Sequence, residues 1–196
     1  MRRRLAAISV AAALAGPAAA QGVPTDAEMR DVHAMLLGLP QDGARPERSE
    51  GGDIYYAVVD NPAAPRLVTR LELSPLRCRA RITSALQFPG KWATLTLGTI
   101  DLGRVSAVTA YASVDDMIAE INPVPLSSPG AEQVVLTGRG LYCTSRVSLS
   151  GANDAADQAC SDRLDLAMTD AQEKASGRRA LAIVAAFCNA PAFEKK

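Results

Sequence analysis

The chain has 196 residues, 48% hydrophobic and 4% aromatic, with 21 Lys+Arg against 21 Asp+Glu and a single histidine. That apolar content without a strict repeat excludes a disordered or fibrous chain. The charge balance argues against duplex nucleic acid as a partner, and one histidine without any Cys-x-x-Cys argues against a zinc centre or a histidine-based hydrolase.

The N-terminus reads as an export signal. Arg2 to Arg4 supply a positive segment, Leu5 to Ala15 an apolar run of eleven residues, and Ala18 to Ala20 the small side chains a signal peptidase accepts. Residues 1–20 are therefore expected to be a cleaved signal peptide, with the mature chain starting at Gln21. The apolar run is shorter than the ~20 residues that cross a bilayer, and no later segment is longer, so no transmembrane segment is expected after cleavage. The mature chain keeps 18 basic and 21 acidic side chains, a net charge of −3. Its expected location is periplasmic or secreted. In such an oxidising compartment Cys78, Cys143, Cys160 and Cys188 are expected to form two disulfide bonds. Of the three connectivities, Cys78–Cys143 with Cys160–Cys188 is preferred, because the first two fall in expected strands and the second two flank one helix–turn unit.

Along the mature chain, Thr25-Asp26-Ala27-Glu28 forms a capping box, and Met29, Val32, Leu36 and Leu39 follow at helical spacing until Gly38 and Pro40 end the run. Residues 41–53, rich in Gly, Glu and Arg, read as a flexible loop, so 21–53 is taken as an N-terminal helix and loop and 54–196 as an α+β domain. Strands are expected at 54–59, 66–73, 76–87, 92–99 and 103–111, separated by turn signals such as Asp60-Asn61-Pro62 and Pro89-Gly90. Ser113 and Asp116 open a short second helix that Asn122-Pro123 stops. Strands at 132–138 and 140–149 form a hairpin about Gly138-Arg139-Gly140. After Asn153 the period turns helical, with Cys160, Leu164, Ala167, Met168 and Ala171 on one face and Asp162, Asp165 and Thr169 on the other. That helix is expected to span 154–175 and to stop at Gly177. The apolar run 180–188 suits either a helix or a buried strand, with a strand preferred.

The sum is a single α+β domain: a mainly antiparallel sheet, as a small sandwich or partly open barrel, covered by a helix near the C-terminus and preceded by an N-terminal helix.

Catalytic and nucleotide-binding signatures are missing from the sequence: no Gly-x-Ser-x-Gly, Ser-x-x-Lys, His-Glu-x-x-His or phosphate loop. His33 reads as a helix-surface or interface residue, its acid–base partners not being locatable. Asp154, Asp157, Asp162 and Asp165 lack calcium-loop spacing and read as a capped, solvated helix face. No metal or cofactor is expected. The sharpest feature is a charge-sorted hairpin. Alternation places Leu67, Leu71, Leu73, Leu76, Cys78, Ala80 and Ile82 on one side, and Arg66, Arg70, Glu72, Arg77, Arg79 and Arg81 on the other. Guanidinium forks match carboxylate and phosphate oxygens in pairs, so this face is a candidate site for an anionic ligand. The residues alone point to an exported, soluble, non-enzymatic binding or interaction protein of the cell envelope, its partner an anionic lipid, a glycan or an envelope protein. The alternatives are an enzyme using two carboxylates as acid and base, for example in glycan cleavage, and a carrier of a small apolar ligand.

Overall fold

Helix α1 (Asp26–Leu36) starts where the capping box places it: Thr25 Oγ1 accepts the Glu28 N–H at 3.2 Å, and the Glu28 carboxylate accepts the Thr25 N–H at 3.0 Å. Gly38 follows at φ 62°, the left-handed turn that ends a helix. The computed structural model describes residues 22–40, 45–49, 52–60, 65–112, 117, 132–148, 157–191 and 194–195. The expected signal peptide, the helix expected from Ser113 (apart from Met117) and Asp154 lie outside them.

Beyond α1 come β1 (Arg45–Ser49), β2 (Gly52–Val59), β3 (Arg66–Leu73), β4 (Arg79–Phe88) and β5 (Lys91–Asp101), then a 3-10 turn at Leu102–Arg104. They are followed by β6 (Ala107–Tyr111), β7 (Glu132–Ser148), β8 (Asp157–Met168), α2 (Ala171–Phe187) and β9 (Glu194–Lys195). The described strands form one sheet in the order β1-β2-β3-β4-β5-β7-β6-β9, with β8 against β7. All pairings are antiparallel except β6 with β9. β5 and β6 lie in succession along one edge of β7: Cys143 pairs with Thr99 and Val135 with Thr109. β8 runs along the other edge, through Cys143↔Cys160 and Val135↔Asp165. The fold is thus the expected α+β single domain, and its sheet stays open.

Several local expectations are overturned. The 41–53 loop contains β1, a charged strand that takes its regularity from the ladder Arg45↔Tyr56 to Ser49↔Gly52; charge and proline are usual on an edge strand. The 132–149 hairpin is the single strand β7. Gly138 lies inside it because the Arg104 carbonyl passes where a Cβ would stand, and Gly140, at φ 62°, sits in the irregular stretch between Thr137 and Tyr142. Where a helix is expected over 154–175, the described residues form β8 and the start of α2. β8 buries Leu166 and Met168, alternate positions that face the core. The strand expected at 180–188 is the second half of α2, whose buried Gly177, Ala180, Leu181 and Val184 recur at helical spacing. Gly177 does not stop this helix: a Cβ there would overlap the Met168 side chain, so glycine lets α2 lie close on β8.

Both disulfides connect differently from the preferred pairing. Cys143 bonds Cys160, its direct cross-strand neighbour, and Cys78 bonds Cys188, tying the turn before β4 to the end of α2. The strand at 157–168 brings Cys160 beside Cys143, a relation a helix there would not allow. The bonds fit an oxidising, extracytoplasmic setting. Among the described residues no helix is long and apolar enough to cross a membrane.

The helices share one side of the sheet. Met29, Val32 and Leu36 of α1 and Leu181 and Val184 of α2 form one core with Leu71, Ile82, Ile100, Leu136, Leu166 and Met168. The opposite, outer side carries the arginines.

Candidate functional site

The register bears out the alternation within β3 and β4, but not at Leu76, which lies exposed in the turn before β4. Leu71 pairs with Ile82 and Leu73 with Ala80 on the helix side, while Glu72 pairs with Arg81 and Arg70 with Thr83 on the outer side. Arg79 pairs with Asp101 and Arg81 with Thr99, extending the charged face onto β5.

Arg77 leaves this row. It precedes β4 in the turn, and its guanidinium reaches Asp26 at 2.9 Å and the Pro24 carbonyl at 2.8 Å. It therefore clamps the start of α1 to the β3–β4 turn. The remaining arginines meet acids from several segments. Arg79 binds Asp101 at 2.7 Å, and the same carboxylate oxygen receives Arg104 at 3.2 Å. Arg70 pairs with Glu72 at 2.8 Å and Arg66 with Asp60 at 3.9 Å. Arg81 is exposed and has no ion pair among the described residues. Exposed pairs of this kind contribute roughly 0–1 kcal/mol, so they hold these arginines loosely.

The structure adds something the charge pattern did not reveal. Val58, Val68, Ala85, Leu95 and Val147 are successive cross-strand partners, an apolar row over β2, β3, β4, β5 and β7. It lies on the outer face between Arg66 on one side and Arg70 on the other. Val58 is 37% exposed, and Leu97, one row further, 44%. The sequence signal was available as alternation within each strand, but the row exists only once the registers are set.

His33 is fully buried, not at the surface. Its Nε2 lies 3.1 Å from the Arg77 carbonyl, to which an Nε2–H donates, and its Nδ1 has no hydrogen-bond partner among the described residues. Burial pushes its pKa down to about 4, against smaller upward contributions from the Arg77 carbonyl and the Asp101 charge. A neutral imidazole enclosed in this way is a core group that joins α1 to the β3–β4 turn. The described members of the acidic series sit on a strand: Asp162 accepts the Gly140 N–H at 2.6 Å and Asp165 pairs with Arg163 at 2.7 Å, while Asp157 opens β8. Among the described residues no His, Cys, Asp and Glu cluster could hold a metal ion.

The helix side carries a different feature, an open cleft of about 620 Å³ between α1, α2 and the end of β8. Because the sheet does not close, the described strands enclose no barrel interior. No protein-family model, curated protein or solved structure matches the chain.

Proposed function

We propose that this protein is an exported, non-enzymatic binding module of the cell envelope, periplasmic or secreted, which docks an acidic partner protein on the outer face of its sheet. The observation that carries this reading is the apolar row from Val58 to Val147, partly open to solvent and flanked by Arg66 and Arg70, with Arg81 beyond. An apolar centre with arginine at its margin is the composition of a protein interface. Five strands at about 4.8 Å spacing make the row roughly 19 Å long, a scale suited to the middle of a protein contact. A headgroup or a sugar is better held in a concavity, and the clefts described in this molecule lie beside the helices. A partner's carboxylates would take over Arg70 from Glu72 and engage Arg81 directly.

A photoreactive phenylalanine analogue replacing Thr83, in the row beside Arg70, tests this in cells. The expected result is an adduct with one envelope protein that also binds directly when purified, and that is lost in an Arg70→Glu, Arg81→Glu variant but kept in Asp162→Lys. Arginine-dependent binding to anionic phospholipid vesicles or to heparin, with no protein adduct, would refute a protein partner.

A further inference from the structure

On the opposite side of the sheet, α1 and α2 leave a groove between them. Met35 and Leu39 line it from α1 and its following turn, Ile183 and Ala180 from α2, and Leu166 of β8 lies at its base. A second cleft of about 320 Å³ continues it toward Pro24 and Phe187, sharing Glu28, Arg179 and Ile183. The Arg179–Glu28 ion pair, at 3.2 Å, spans the two helices where the clefts meet.

The charge around this groove is one-sided. Glu28 and Asp31 of α1 and Asp170 and Glu173 at the start of α2 border it; Asp31 also pairs with Arg30 at 3.4 Å, and Arg179, already paired, is the lining cation among the described residues. Two of the acids are held in place by the chain itself. Glu28 accepts from the Thr25 backbone and hydroxyl, and Glu173 accepts from the Thr169 N–H at 2.7 Å and hydroxyl at 2.6 Å. These hydrogen bonds lower the pKa of both carboxyls and favour their ionised form. An elongated apolar floor between two helices suits the apolar face of a third helix, and carboxylates along its margins suit lysines and arginines flanking that face.

We infer that the α1/α2 groove is a binding site for a basic amphipathic helix of a partner protein, distinct from the acidic partner of the outer face. The occupant lays its apolar face along Met35, Leu39 and Ile183 and places its basic residues against Asp31, Asp170 and Glu173. The module would then hold two partners of opposite charge on opposite sides of one sheet.

A fluorescein-labelled helical peptide of leucine and lysine, LKKLLKLLKKLLKL, serves as the probe. It should bind the native, disulfide-bonded protein at moderate salt, and an Asp31→Lys, Ser176→Lys variant, which spares both helix caps, should weaken binding by about tenfold or more. Near-UV circular dichroism confirms that the variant is folded. A peptide of the same composition scrambled to have no apolar face should bind at least tenfold more weakly, and the Arg70→Glu, Arg81→Glu variant should bind the probe as the native protein does. Equal binding of the scrambled peptide, or an equal loss on Asp162→Lys with Asp165→Lys on β8, would reduce the effect to general charge attraction and overturn the inference. No binding at all would overturn it as well, leaving the outer-face reading untouched.

Discussion

Mild acid should weaken this protein through His33, the chain's only histidine. The imidazole is fully buried and neutral, with a pKa pushed from 6.5 down to about 4 chiefly by burial. The unfolded chain therefore takes up a proton first, and stability that is complete above about pH 6.5 is lost as pH falls toward 4. A displacement of roughly 2.5 pH units at about 1.36 kcal/mol each gives about 3 kcal/mol in full, of which about 2 kcal/mol is already lost at pH 5. The lowered pKa values of the Glu28 and Glu173 carboxyls give stability that is lost only as pH falls through the unfolded value near 4.5 and below, so the change between about pH 6.5 and 5 comes mainly from the histidine. Urea unfolding of the disulfide-intact protein across that interval measures the slope. A His33→Gln variant, which keeps a donor for the Arg77 carbonyl, should start less stable but show a flat profile. A native profile as flat as the variant's would refute the neutral, enclosed histidine and with it the packing of α1 on the β3–β4 turn.

Glycine positions test the packing of β7 and α2. Gly177→Ala should cost about 1–3 kcal/mol in chemical denaturation, because Met168 must yield inside a filled core. Gly138→Ala should cost more, since the obstacle there is the Arg104 backbone and not a side chain that can rotate away. Removing Cys78 and Cys188 together should lower stability by about 5 kcal/mol and removing Cys143 and Cys160 by about 3 kcal/mol, from the entropy of closing unfolded loops spanning 110 and 17 residues; thermal or urea unfolding of each double alanine variant checks the order. Asp170→Ala, which deprives Glu173 N–H of its acceptor at 2.8 Å, should cost about 1 kcal/mol and lower helical circular dichroism.

Where the signal was local, the sequence spoke clearly. The Thr25–Glu28 box starts α1, and the strand expected over 66–73 has the bounds of β3, with Leu71 buried and Arg70 exposed beside it. Local pattern misleads where neighbours distant in sequence decide the structure. Leu164, Ala167 and Met168 resemble a helical stripe, yet pairing with β7 makes that segment a strand and puts Leu166 in the core. Asp170 and Glu173 carried the cap of α2, but a helix expected to run through them hid its start. Gly177 and Gly138 look like stops, whereas each is required by what approaches it: Met168 and the Arg104 carbonyl. The candidate site divides in the same way. The sorting of arginines to one face was legible, but the carboxylates that meet them, Asp26, Asp60 and Asp101, come from other segments with no spacing to announce them. The groove between α1 and α2 is built from residues more than a hundred positions apart, beyond any local pattern.

The proposed role depends on this fold being made and oxidised outside the cytosol. Non-reducing peptide mapping of the protein recovered from its native compartment examines both conditions together. The account predicts a mature N-terminus at Gln21 and two linked fragments, Cys78 with Cys188 and Cys143 with Cys160. Four free thiols on a chain still carrying Met1, or Cys78 bonded to Cys143, would contradict it.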